Sequence, residues 1–365
     1  MHRSKVVLRE PWFLTVLGIL VLGGLFLLSS ASVALSQKLY GSVSYVAFRQ
    51  AFALLLGLAA FVTVQAIPYG FWKRAAAPLL LVALILLGIV LLPTVGVELH
   101  GARRWIDLGS LTFQPSEFAK LAVVLALAWW FSRAGSRARS LQYGMLPFLG
   151  IMGAVGALLV LEPDLGTLGV IVGAAMVVYF VAGARWVEVG TLVVCGILAL
   201  LLLSYISPYR AERLMVFFVR DIDPQGIGYQ VRQASIAIGS GGFWGVGYGA
   251  SQQKFSRLPE PMGDSIFAVV AEEFGLLGSI GVLLLFLLLL WRGIVIARAA
   301  PDAFSKFAAI GIVSSVVLQA FINIAAISGI LPLTGIPLPF ISYGGTSIVI
   351  TLAGLGIVYQ IAKHS

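Results

Sequence analysis

Residues 264–291 read DSIFAVVAEEFGLLGSIGVLLLFLLLLW. A helix of roughly 20 apolar residues crosses a bilayer core about 30 Å thick. This run is longer than that, and its only charges, Asp264, Glu272 and Glu273, fall in its first ten residues. Working outward from it, apolar segments of spanning character recur at 13–35, 46–66, 76–93, 116–132, 143–161, 166–182, 185–204, 303–328 and 342–362. With 264–291 they make ten. The chain therefore reads as an all-α integral membrane protein of ten transmembrane helices, one polytopic domain over residues 1–365.

Composition supports this. Of the 365 residues, 60% are hydrophobic and 11% charged; adding glycine and leaving out tyrosine gives about 68%. Soluble domains hold about 45–50% on that set, with about a quarter charged. A water-soluble globule, a disordered chain, collagen and a disulfide scaffold are all excluded. The net charge of +9 reads as cytoplasmic Lys/Arg and contact with anionic membrane lipid, not as a nucleic-acid surface. Cys195 is the single cysteine, and His2, His100 and His364 are too scattered to form a metal cluster.

Ten spans put both termini on one side. That side carries thirteen Lys/Arg, including Arg3, Lys5 and Arg9, Lys73 and Arg74, and Arg133, Arg137 and Arg139. The short loops opposite hold four, Lys38, Arg49, Arg103 and Arg104, so both termini are expected in the cytoplasm. One large outer loop, residues 205–263, joins helices 7 and 8 and should form short amphipathic helices at the membrane surface. Its glycine-dense run, from Gly239 through Gly249, has no Walker pattern and reads as close backbone packing rather than a phosphate cradle. No internal repeat of the transporter kind is visible.

Ionisable groups at membrane depth are functional candidates. Glu117 and Lys120 lie three apart, on one helix face: a self-neutralising pair, the wall of a pocket, or both. Arg103 and Arg104 sit where topology disfavours cations, which suggests that they meet an anion. Asp264 stands where the outer loop enters helix 8, as an N-cap or as a carboxylate tuned for base catalysis. Of the adjacent Glu272 and Glu273, at least one should face the interior and pair with a cation. The proline-rich 331–343, LPLTGIPLPFISY, cannot be a regular helix and must be buried or line a cavity. Glu162-Pro163-Asp164 is a shorter case.

The strings GARRWIDLG, QPSEFAK, EPDLGT, AIGSGGFWGVGYG, LPEPMGDSIFAVVAEEFG and LPLTGIPLPFISYGGTS occur in this order. Together they resemble the SEDS family of RodA, FtsW and SpoVE proteins, across essentially the whole chain. The end of span one, Leu27 to Ser32, and the string Gln319 to Ile324 look more like FtsW than RodA. The resemblance implies a peptidoglycan glycosyltransferase that polymerises lipid II at the outer face of the bacterial plasma membrane. It also implies a class B penicillin-binding protein as partner, at the division septum or the lateral wall. It places the family's catalytic aspartate on Asp264, and its pocket Glu, Lys and Asp on Glu117, Lys120 and Asp164. Met262-Gly263 stand where many relatives are more polar. Cations for the leaving pyrophosphate are Lys120, Arg103, Arg104, Arg210, Arg213 or a divalent ion such as Mg2+ or Mn2+. The rival readings are a lipid II flippase and a non-catalytic scaffold.

Overall fold

The computed structural model describes residues 10–99, 102–107, 109, 112–206, 208–219, 226–255 and 257–364. Arg3, Lys5, Arg9, His2, His100 and Arg220 lie outside the described residues, as does the side chain of Arg210. Helices stand at all ten expected positions: α1 (Pro11–Ala31), α3 (Tyr45–Ala66), α4 (Tyr69–Val90), α5 (Pro115–Ala134), α6 (Leu146–Leu161), α7 (Leu165–Val181), α8 (Trp186–Ile206), α11 (Ile266–Ala299), α12 (Ala303–Ile327) and α13 (Gly345–His364). Among the described residues, nine helical segments are long and apolar enough to cross a membrane, and α7, with 17 residues, is shorter. Among the described residues there are also three shorter α-helices, α2 (Val33–Tyr40), α9 (Pro208–Phe218) and α10 (Ile227–Ser240). The last two occupy the 205–263 segment, and α10, with Val231, Ala234 and Ala237 buried, packs on α11.

The chain is not purely α. A three-stranded antiparallel sheet, β1 (Gly96–Leu99), β2 (Ala102–Asp107) and β3 (Thr112–Phe113), connects α4 to α5. Val97 faces Trp105 and Glu98 faces Arg103 across a bulge, and Ile106 faces Phe113. Strands this short give no sustained alternation, and Arg103-Arg104 interrupts what there is.

The bundle is built around α12, which is buried on nearly every side against α5, α7, α11 and α13. Phe286, Phe304, Leu355 and Val358 are fully buried there. By contrast α8 is exposed over almost its whole surface. Helix starts follow local chemistry. Pro11 and Pro115 take first-turn positions where no amide partner is needed, and Asp164 and Asp302 cap α7 and α12 by accepting from the Thr167 and Ser305 amides.

Helix α11 is broken at Gly275, whose φ of 64° and ψ of −158° only glycine adopts readily. The break is where the glycine-dense run lies backbone to backbone on the helix. The Val246 and Gly247 amides donate to the Glu272 and Glu273 carbonyls at 3.0 Å each, and the Leu276 amide donates to Gly242 at 2.9 Å. A Cβ on Gly245 would stand 2.1 Å from the Glu273 oxygen. The run is close packing.

Candidate active site

Asp264 precedes α11 but does not cap it. The N-cap position belongs to Ser265, and no side chain caps the helix. The carboxylate is instead held from α10, where Gln230 Nε2 donates to Asp264 Oδ1 and to Ser265 Oγ, both at 3.0 Å. Asp264 is half-buried. Burial raises its pKa to about 6, and the nearby charge of Glu260 adds to the rise. The Gln230 hydrogen bond, the positive charge of Arg213 and the Ser265 hydroxyl oppose it. A carboxylate with a pKa close to the working pH is ionised yet basic enough to take a proton.

The backbone around Asp264 is clamped by the irregular segment 331–343. Ser342 Oγ donates to Gly263 O at 2.6 Å, and the Tyr343 amide donates to Met262 O at 2.9 Å. From α12, Asn323 Nδ2 donates to the carbonyls of Asp264 at 2.9 Å and Ile336 at 2.8 Å. The irregular segment leaves carbonyls with no helical partner, and the Asn323 amide satisfies that of Ile336.

Glu117 and Lys120, buried in the first turns of α5, form an ion pair of 2.7 Å. Lys120 Nζ also donates to Gln319 Oε1, and Gln319 Nε2 donates to Pro337 O at 2.9 Å. The pair is thus tied to the same proline-rich segment. Arg213, on α9, reaches this segment from the other side, donating from Nη1 to Leu333 O at 3.2 Å. Its charge acts on Asp264. Arg210 is on the same helix, with its side chain outside the described residues.

The remaining candidates are further off. Arg103 pairs with Glu98 at 3.2 Å across the β1–β2 hairpin. Arg104 donates to the carbonyls of Glu162 and Pro163, closing the α6–α7 turn. Asp164, besides capping α7, accepts from Ser116 Oγ at 3.2 Å. Arg103 thus meets an anion, the Glu98 carboxylate, whereas Arg104 is hydrogen-bonded to two neutral backbone carbonyls. Between them Glu162 is fully buried, and neither of its carboxyl oxygens has a hydrogen-bond partner. Burial, reinforced by Asp164 and opposed by Arg104, pushes it up to about 9.

Glu272 and Glu273 both face inward. Glu273 pairs with Lys254 at 2.6 Å, both about 1% exposed, and also accepts from Ser30 of α1. Glu272 accepts from Ser251 Oγ at 2.5 Å and from the Gln252 amide at 3.0 Å. These acids hold the 241–255 segment to the bundle and are no part of the Asp264 site.

A cavity of about 440 Å³ opens beside the Asp264 loop, between α3, α13, the small sheet and the proline-rich segment. Met262, Gly263 and Glu260 belong to its lining, together with Arg49, Trp105 and Tyr343. The size suits a sizeable organic ligand. Gln230, Asn323, Gln319 and Arg49 are functional neighbours that the motifs did not single out as site residues. Asn323 and Gln319 carry one signal in sequence, an uncharged amide inside an apolar span.

With this geometry in view, comparison with known proteins is direct. A family profile described as cell cycle protein, FtsW/RodA/SpoVE, matches residues 11–365. The chain is 39% identical over 342 residues to stage V sporulation protein E of Bacillus subtilis, covering 94% of this chain and 93% of that protein. It is 36% identical over 367 residues to a probable peptidoglycan glycosyltransferase FtsW of Trichlorobacter lovleyi, covering 98% and 96%. A chain of the solved structure described as structural coordination of polymerization and crosslinking by a peptidoglycan synthase complex matches with a TM-score of 0.79. Its identity is 33%, with 96% of both chains covered.

Proposed function

Because the chain belongs to the FtsW/RodA/SpoVE family, we propose that it polymerises lipid II with Asp264 as the general base. It is a multi-pass membrane peptidoglycan glycosyltransferase. The acceptor's sugar hydroxyl attacks the donor's anomeric carbon, and the bond from that carbon to the polyprenyl pyrophosphate breaks. The hydroxyl proton goes to Asp264. The single observation that carries the base assignment is the carboxylate itself. It is half-buried and free of any capping duty, and it is held by Gln230 next to a residue, Gly263, that lines the 440 Å³ cavity.

Positive charge is needed where the pyrophosphate develops negative charge. Arg213 is the sequence-derived cation best placed to supply it, because its charge already reaches Asp264. Glu117 and Lys120 act as positioning residues, fixing the proline-rich wall through Gln319. Arg104 and Asp164 shape the neighbouring α6–α7 turn, and Arg103 stays on the hairpin.

A divalent cation, Mg2+ or Mn2+, has a subordinate place. Among the described residues no three His, Cys, Asp or Glu converge as a metal cage. Asp264 and Glu260 do stand close enough to influence one another, and one or two carboxylates with substrate phosphates are a usual donor set for Mg2+. Bound there, the ion would supply further positive charge to the leaving group.

This reading has both termini in the cytoplasm, the 205–263 segment outside, and residues 1–365 as one domain in the plasma membrane. The partner is a class B penicillin-binding protein, which fits the likeness to a synthase complex that couples polymerization to crosslinking. The FtsW-like strings of α1 and α12 favour division at the septum over elongation. The test is polymerisation of labelled lipid II by purified protein, with and without that partner. Glycan ladders lost in Asp264→Asn support the reading. Lipid II crossing vesicle membranes without any ladder overturns it in favour of a flippase.

A further inference from the structure

Tyr40 ends α2 and Tyr45 begins α3. Their rings stack with centroids 4.2 Å apart and planes 26° from parallel, while the side chains remain 46% and 39% exposed. The turn between them is rigid: Gly41 takes a left-handed conformation, and the buried Ser36 hydroxyl donates to Ser42 O at 2.6 Å and accepts from the Val46 amide at 3.3 Å. Two exposed aromatic rings are thus held in fixed register.

This pair is continuous with the cavity. Arg49, one turn along α3, lies 5.9 Å from the centre of the Tyr45 ring and lines the cavity wall. Tyr343, also on the wall, is close enough to Arg49, Tyr40 and Tyr45 to be electrostatically coupled to them. The helix that carries Tyr45 is also hydrogen-bonded to the segment that clamps the Asp264 loop. Gln50 Nε2 donates to Ser342 O at 3.3 Å, and its Oε1 accepts from the Gly344 amide at 3.1 Å. Ser342 and Tyr343 in turn clamp Gly263 and Met262.

We propose that Tyr40 and Tyr45 form a saccharide platform at the mouth of the cavity, on which pyranose rings of the glycan strand stack. This rests on the glycosyltransferase reading above and adds a binding subsite to it. A sugar ring presents an apolar C–H face with polar edges, which matches an aromatic face bordered by hydroxyls and cations. Here the border is supplied by the two phenol hydroxyls and by Arg49 beside the Tyr45 ring. Isolated tyrosines at a membrane interface anchor the chain in the headgroup layer. An anchor needs neither a stacked partner nor a hydrogen-bonded connection to a catalytic loop.

The test uses full-length protein and labelled lipid II, comparing wild type with Tyr40→Ala/Tyr45→Ala and Tyr40→Trp/Tyr45→Trp. Binding of lipid-free, uncrosslinked GlcNAc–MurNAc oligomers is measured in parallel. Loss of the stack should weaken oligomer binding about fivefold, the equivalent of about 1 kcal/mol, and shift the ladder to shorter strands. The Trp pair, which keeps aromatic faces, should restore both. Equal strand lengths and equal oligomer binding in the wild type and the Ala pair overturn the platform. A variant that loses stability while its binding is unchanged identifies a membrane anchor instead. If the Ala pair does not fold, Tyr40→Leu/Tyr45→Leu takes its place, and oligomer binding equal to wild type in that folded pair likewise overturns the platform. No ladder from the wild type, with oligomer binding intact, overturns the polymerase reading and not the platform.

Discussion

Replacing Asp264 with Asn should stabilise the folded protein at neutral pH. An aspartate raised from 3.8 to about 6 costs the folded state about 3 kcal/mol when it is charged. Water reaching the half-buried carboxylate screens part of this and leaves about 1–2 kcal/mol. Asn keeps an oxygen to accept the Gln230 hydrogen bond and carries no charge to desolvate. The sign with pH follows from linkage. Below about pH 4 the acid is protonated in both folded and unfolded chains and the penalty is absent; it builds as pH rises towards 6 and is complete above that. The assay is thermal unfolding of wild type and Asp264→Asn in one detergent at several pH values. The variant should melt about 2–4 °C higher at pH 8, with the gap shrinking steadily towards about pH 4.5. A variant that melts at or below the wild type at pH 8, or whose gain does not vary with pH, would refute the reasoning.

Three further outcomes follow from particular contacts. Gln230→Leu removes a hydrogen bond that favours the charged form of Asp264, so the acid limb of the polymerisation rate should move up by about one pH unit; an unmoved limb in active protein contradicts the assignment. Lys254→Met leaves Glu273 buried and unpaired and should destabilise by about 3–5 kcal/mol, while Lys254→Met/Glu273→Leu should recover most of that loss in a thermal melt. Gly245→Ala sets a methyl against the Glu273 carbonyl at a φ of 82°, so it should lower the melting temperature more than Gly18→Ala, where a Cβ meets nothing within 4 Å.

The helical framework was legible because a bilayer demands long apolar runs, and ten of them are plain in the sequence. Their ends were less so. Helix α4 begins at Tyr69 rather than near 76, and α11 runs to Ala299, eight residues past Trp291. Both extensions carry cations, which a hydrophobicity reading takes as boundaries. In the structure Lys73 pairs with Asp302, and Arg292 with the buried Glu10. The small sheet was hidden by its short strands. At the site, Asp264 was visible as an acid at the edge of a span, and the Glu117–Lys120 pair from its spacing. That this pair works through Gln319 on the proline-rich wall was not visible, because the partners are 199 residues apart. The same holds for Gln230, which reaches Asp264 from a separate amphipathic helix. Of Glu272 and Glu273, at least one was expected to face inward against a cation, and Glu273 does so on Lys254. Their actual partners, Lys254, Ser30 and Ser251, make them braces.

The measurement that bears most directly on the central claim is the pH profile of lipid II polymerisation by wild type beside Asp264→Asn, both confirmed folded by thermal melt and assayed with the partner transpeptidase. Ladders from the wild type that fade as pH falls through about 6, and no ladders from the variant at any pH, are the predicted result. Wild-type ladders from folded Asp264→Asn would contradict it.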